Sequence, residues 1–133
     1  MGEIGTWDPD SGSELNPEMM ALLDVATRAL DDDRFGLDDT GISIVKDAML
    51  LQPSVWRDKT ADLAADRLIQ WIKLFTLAEG RVNVGDVGSK SPVIPLVAAL
   101  KRRDEYPRDL TKWIKANSDN KFLPYGSLLD RLG

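Results

Sequence analysis

The longest helical pattern of hydrophobic residues lies between Thr60 and Gly80. Apolar side chains recur there at steps of three and four residues, the repeat of one helix face. They are Ala61, Ala64, Leu68, Trp71, Ile72, Phe75 and Ala78, and Leu63 and Leu74 widen the stripe. Asp62, Asp66 and Lys73 form a narrow polar side. The pattern predicts a central helix at about 60–79, capped by Thr60, ended by a left-handed Gly80 and covered by other helices on two or three sides.

Two helices are predicted before the central one. Asn16, Pro17 and Glu18 mark the first start, because asparagine caps a helix, proline fits its first turn and glutamate favours the positive end of its dipole. The second helix is predicted to begin at a cap formed by Asp39 or Thr40. It ends before Pro53, because the residue before a proline is pushed away from helical geometry.

Three helices are predicted after the central one. Ser91 is expected to cap the first of them, with Pro92 at its first position and Pro95 at its fourth, where one backbone hydrogen bond is lost. The next is predicted over residues 107–116, and a short last helix over residues 127–132. No stretch of adequate length alternates as a strand does. The fold class is therefore all-α, a compact bundle of five to six helices.

The domain organisation follows from length and composition. A chain of 133 residues is long enough for one domain with a sizeable core. Residues 1–15 are rich in Gly, Ser, Asp and Pro and have no periodicity. They are predicted to be a flexible N-terminal tail, and residues 16–133 a single α-helical domain.

The sequence contains neither cysteine nor histidine. Disulfides, thiolate metal sites, cysteine nucleophiles and histidine-based triads are therefore excluded, and a metal would have oxygen ligands alone. No catalytic motif is present, so we expect a protein that is not an enzyme and that has no cofactor and no metal site.

The sequence predicts no membrane segment. Asp62, Asp66, Arg67 and Lys73 interrupt the central helix, whereas a spanning helix needs roughly 20 mostly apolar residues. The first basic residue is Arg28, so a secretory signal with a basic start is not expected. The expected location is the cytoplasm.

The chain is acidic overall, but its charge is divided unequally. Residues 1–66 carry 5 Lys and Arg against 15 Asp and Glu, a net charge of −10, whereas residues 67–133 carry 12 against 7, a net charge of +5. Such an asymmetry points to a charged partner, which is a second protein or another copy of the chain.

Five aspartates lie within residues 31–41. Read as a calcium-binding EF-hand loop from Asp31, the segment has Phe35 at the fifth position and Ile42 at the twelfth, where the motif requires oxygen ligands. The motif therefore fails, and an exposed turn between helices is favoured over a cation site.

The stretch Gly85–Ser91 leads directly into a predicted helix start. Backbone N–H groups, the helix dipole and Lys90 would together hold a phosphate or carboxylate, so Gly88, Ser89, Lys90 and Ser91 form a candidate anion site. The residue spacing does not match a Walker A loop. The alternative is an ordinary helix–helix connection.

Basic residues cluster in the C-terminal half. Arg108, Lys112 and Lys115 follow helical spacing opposite an apolar face, with Lys101 and Arg102 upstream. Acidic neighbours reduce the net charge of residues 101–115 to +3. A solvated helix face is favoured over a nucleic-acid surface.

Two further residues have alternative interpretations. Arg67 borders the apolar stripe of the central helix, where it either carries its charge to water or pairs with an aspartate of the N-terminal half. Tyr125 lies in a predicted turn and belongs either to the core or to an exposed docking patch.

The sequence thus favours a small, non-enzymatic helical module that binds a protein partner or another copy of itself. The residues expected to bind this partner are Lys101, Arg102, Arg108, Lys112, Lys115 and Tyr125. Two alternatives remain open: a nucleic-acid-associated regulator that uses the basic helix at 107–116, and a binder of anionic small molecules at Gly85–Ser91.

Overall fold

In the part of the chain that the structure describes, six α-helices pack compactly against each other. The structure is a computed structural model that describes residues 15–82, 88–120 and 122–124, and within these residues there is no strand. The helices are α1 (Pro17–Ala26), α2 (Asp39–Met49), α3 (Pro53–Thr60), α4 (Ala65–Arg81), α5 (Val93–Arg102) and α6 (Leu110–Asn117). Short 3₁₀ turns follow α1 (Thr27–Ala29) and precede α5 (Gly88–Lys90). The predicted all-α class is confirmed.

Helix α4 is the centre of the bundle. Helices α1, α5 and α6 and the first 3₁₀ turn all pack against it. Leu68, Trp71 and Phe75 are completely buried in α4, and the Trp56 ring of α3 meets Trp71 and Phe75 edge to face, with centroids 6.1 and 5.2 Å apart. In the described part of the chain, no helix is long and apolar enough to cross a membrane.

The central helix begins later than its hydrophobic pattern predicts. Thr60 does not cap it but ends α3, and its buried hydroxyl donates to the Trp56 carbonyl at 2.5 Å. Ala61 and Ala64 are exposed in the connection between α3 and α4. Their side chains follow the helical repeat of α4 although both residues lie outside that helix. The predicted start at Thr60 was therefore wrong.

Gly80 does not end the helix either. It lies inside α4, which continues to Arg81 and is followed by Val82 in extended geometry. The position is exposed, and a Cβ atom added there would meet no other atom within 4 Å.

We therefore expect Gly80→Ala to raise the free energy of unfolding by about 0.5–1 kcal/mol, because alanine loses less backbone entropy in a helix than glycine. Urea denaturation followed by circular dichroism measures this change. A destabilised Gly80→Ala variant would show that the helix does not continue through this position.

The predicted helix starts are partly confirmed. Asn16 caps α1, since its Oδ1 accepts the N–H of Met19 at 2.9 Å, and Pro17 is the first helical residue. Helix α2 is capped by Asp38, whose Oδ1 accepts the N–H of Gly41 at 2.9 Å. The predicted caps Asp39 and Thr40 were wrong by one or two residues, because Asp38 is the last extended residue and its carboxylate reaches the free N–H groups of the first turn.

Helices α5 and α6 also begin later than predicted. Ser91 does supply a capping bond, since its Oγ accepts the N–H of Val93 at 3.2 Å. Pro92 precedes α5, and Pro95 is its third residue. A backbone N–H at this position would have no acceptor within the helix, so the proline removes no hydrogen bond. Helix α6 begins at Leu110, so the predicted range 107–116 was too early. The predicted last helix at 127–132 lies outside the described residues.

Residues 31–39 form an acidic turn that follows α1 and ends at the first residue of α2. The Asp32 Oδ2 accepts the N–H groups of Gly36 at 2.9 Å and Arg34 at 3.0 Å. The hydrogen bond from Gly36 is the main cause that lowers the pKa of Asp32 below its ordinary value, and the bond from Arg34 is the next. Phe35, at a left-handed φ of 55°, turns its ring into the core. Nη1 of Arg81 donates to the carbonyls of Leu30 and Asp32 at 2.6 and 3.1 Å, which fixes the turn to the end of α4.

The neighbours of α4 lie along it in a clear order. Near its start, Asp24 of α1 meets Arg67, and at its end Arg81 meets the acidic turn. Helix α5 begins beside Glu79 and packs back along α4. Helix α6 meets α4 at Lys73, whose Nζ lies 5.5 Å from the centre of the Trp113 ring.

Candidate interaction surface

The predicted basic residues are exposed at the end of α5 and along α6. Lys101 and Arg102 form the last turn of α5, Arg108 lies in the following turn, and Lys112 and Lys115 lie on α6. We call these five residues the basic surface. Because α6 begins at Leu110, Arg108 precedes the helix, so it does not belong to one helical stripe with Lys112 and Lys115.

Helix α6 holds its two lysines on the side away from the core. Leu110 and Ile114 are buried, whereas Lys112 and Lys115 are exposed and lie three positions apart. Residues at this spacing are neighbours on a helix surface. The amphipathic pattern of the sequence thus positions both ammonium groups on the same exposed side.

Most cations of the basic surface have no ion-pair partner in the described part of the chain. This holds for Arg102, Arg108, Lys112 and Lys115. Lys101 contacts the Tyr106 ring, with Nζ 5.0 Å from its centre. By contrast, the fold uses Arg34, Arg67 and Arg103 in ion pairs with carboxylates. The basic surface can therefore offer its charge to an external carboxylate or phosphate.

Of the two alternatives predicted for Arg67, the structure shows the ion pair with an aspartate of the N-terminal half. Its Nε and Nη2 donate to the two carboxylate oxygens of Asp24 at 3.1 and 2.8 Å. Trp71 Nε1 donates to the same carboxylate at 2.9 Å, and the Arg67 guanidinium lies 4.9 Å from the Trp71 ring centre. This network joins α1 to α4 and is structural. The sequence did not single out Asp24 among its many aspartates.

The start of α5 is tied to the end of α4 by a second polar network. Ser91, which is buried, donates from Oγ to Oε2 of Glu79 at 2.5 Å. Asn120 Nδ2 donates to the other Glu79 oxygen at 2.9 Å and to the Gly88 carbonyl at 3.0 Å. Sequence reasoning missed Glu79 and Asn120, because they lie 41 positions apart and belong to no motif.

This network bears directly on the candidate anion site. The carboxylate of Glu79 already lies against Ser91, and a negative charge there repels a phosphate. Gly88 and Lys90 lie in the 3₁₀ turn, and Lys90 is exposed. Residues 85–87 lie outside the described residues, as does Tyr125. The anion site and the role of Tyr125 stay predictions, and the structure provides no observation in favour of either.

No metal site is evident: the described residues contain no group of three or more acidic side chains placed to hold an ion.

Comparison with known proteins gives no match, since no family model, no curated protein and no solved structure is significantly similar to this chain.

Proposed function

We propose that the protein is a small, non-enzymatic helical module that binds an acidic protein partner through the basic surface. The observation that carries the proposal is the exposure of five cations on α5, on α6 and in the turn between them, four of them without an ion pair to a described residue. The absence of cysteine and histidine from the sequence supports a role without catalysis.

A protein partner fits the charge pattern better than a nucleic acid. Asp104, Glu105 and Asp109 are exposed in the turn between α5 and α6, among the basic residues. Duplex DNA presents one charge per roughly 1.7 Å of its axis, so these carboxylates would face phosphates. A protein partner can place carboxylates opposite the cations and basic groups opposite the three acids.

The exposure of the charged groups sets the binding strength that we expect. All the groups involved are exposed, and exposed ion pairs contribute about 0.2–1 kcal/mol each. A few such pairs give weak, salt-dependent binding and act mainly by steering the encounter of the two proteins.

Binding of a polyglutamate peptide tests this function. We expect the peptide to bind the wild-type protein at about 20 mM salt, and the double variant Lys112→Glu/Lys115→Glu to bind it at least about tenfold more weakly, because two ion pairs become repulsive. Fluorescence anisotropy of a labelled peptide measures both affinities. The matched control is Arg57→Glu/Lys59→Glu, which makes the same charge change at two exposed positions of α3.

The binding results distinguish an acidic protein partner from a nucleic acid. Equal loss of binding in the two variants would leave general charge as the explanation and would overturn the proposed surface. We expect no appreciable binding to duplex DNA or RNA at about 0.15 M salt, where screening extends over roughly 8 Å. Tight nucleic-acid binding that is lost in Lys112→Glu/Lys115→Glu would instead make a nucleic acid the partner.

A further inference from the structure

The acidic turn, residues 31–39, is an exposed surface of the opposite sign to the basic surface. Asp31, Asp33 and Asp38 are exposed and form no ion pair with a described residue. Asp38 caps α2, whereas Asp31 and Asp33 accept no side-chain hydrogen bond from the described part of the chain. The turn thus presents carboxylates that the fold does not use.

The turn is also held in one conformation before any partner arrives. Asp32 binds two N–H groups of the turn, the Phe35 ring is buried, and Arg81 binds two of its carbonyls. A preorganised surface loses little conformational entropy on binding. Helix α6 is likewise fixed to the core, with Ile114 buried.

The two charged surfaces are attached to different parts of α4. The acidic turn is fixed at Arg81, whereas α6 meets α4 at Lys73, eight residues earlier in the helix. No cation among Arg102, Arg108, Lys112 and Lys115 forms an ion pair with a described residue of the turn. Each molecule therefore has an acidic and a basic surface available at the same time.

We propose that the basic surface binds a second copy of this chain, whose acidic turn supplies the carboxylates. The inference rests on the proposed function and names its partner. The contact is head to tail, because two different surfaces meet, so each bound molecule still offers one surface of each sign. Such association produces rings or chains, and salt weakens it.

A charge-swap experiment tests the inference on the full chain. The variant Asp31→Lys/Asp33→Lys changes the net charge of residues 31–39 from −4 to 0, and Lys112→Glu/Lys115→Glu changes that of α6 from +2 to −2. Each single variant removes the attraction between the two surfaces, so we expect self-association at about 20 mM salt to weaken at least tenfold relative to wild type. An equimolar mixture pairs the unchanged basic surface of the first variant with the unchanged acidic turn of the second, and we expect association to return. Sedimentation velocity measures all three samples.

Matched controls change charge elsewhere by the same amount. They are Asp47→Lys/Asp58→Lys and Arg57→Glu/Lys59→Glu, at exposed positions of α2 and α3. We expect both controls to associate as the wild type does, and wild-type association to disappear at about 0.3 M salt, where the screening length is short.

Three results would overturn the inference: a monomeric wild type at every salt concentration, controls that lose association equally, or a mixture that stays monomeric. A wild type that binds polyglutamate but never self-associates would remove the inference alone and leave the proposed function standing. A wild type that does neither would remove both.

Discussion

Replacing Phe75 by alanine is expected to lower the free energy of unfolding by about 3–5 kcal/mol, the largest effect of any change considered. Phe75 is completely buried in α4, and its ring meets the Trp56 ring with centroids 5.2 Å apart. Its removal loses apolar burial and leaves a cavity, and it deprives Trp56 of an edge-to-face partner. Urea denaturation followed by tryptophan fluorescence and circular dichroism measures the change.

A second core substitution and a surface control make this prediction specific to the centre of the bundle. Leu68→Ala, at a completely buried position about two turns closer to the start of α4, should cost about 2–5 kcal/mol. Gln70→Ala changes an exposed position of the same helix and should leave the midpoint nearly unchanged. If Phe75→Ala shifted the midpoint no more than Gln70→Ala, α4 would not be the core.

Replacing Asp24 by alanine is expected to cost about 2 kcal/mol, because hydrogen bonds to charged groups contribute about 1.5–3 kcal/mol and this carboxylate accepts three. The expected cost is only about 2 kcal/mol because water screens part of these interactions: 36% of the Asp24 side chain and 32% of the Arg67 side chain are exposed. The loss also leaves the Trp71 N–H without its acceptor. Urea denaturation of the variant gives the change in the free energy of unfolding.

A double-mutant cycle shows whether the network acts as a unit. Arg67→Ala alone and Asp24→Ala with Arg67→Ala together complete the cycle, and we expect the two losses to be less than additive. Asp66→Ala, an exposed aspartate on α4, is the control for removing a negative charge. Strictly additive losses would mean that the two side chains contribute independently.

Much of the fold was predictable because burial leaves a periodic signal in the sequence. Leu68, Trp71 and Phe75 follow the helical repeat, and all three are buried. The start of α4 was not predictable in the same way. Ala61 and Ala64 continue the repeat by coincidence, and alanine is small enough to be exposed in a turn or buried in a helix. Helix ends depend on backbone bonds such as that of Thr60 to Trp56, which periodicity does not report.

The candidate surface was predictable only where the exposure of a charged residue follows from its neighbours along the chain. The exposure of Lys112 and Lys115 follows from their position opposite Leu110 and Ile114 on one short helix. The polar junction of Glu79, Ser91 and Asn120 depends on three segments meeting in space, and no spacing along the chain encodes that. For the same reason, the sequence left open whether Arg67 carries its charge to water or pairs with an aspartate, and it did not identify Asp24 as the partner.

The network of Asp24 with Arg67 and Trp71 also has a consequence for the order of folding. It joins residues 43 positions apart, whereas α4 and α5 are neighbours along the chain. Bringing distant segments together costs chain entropy before any contact compensates for it, so we expect α4 and α5 to associate before α1 docks on them. Interactions formed after the rate-limiting step slow unfolding without speeding folding. In kinetic terms, we therefore expect Asp24 to extend the lifetime of the folded protein.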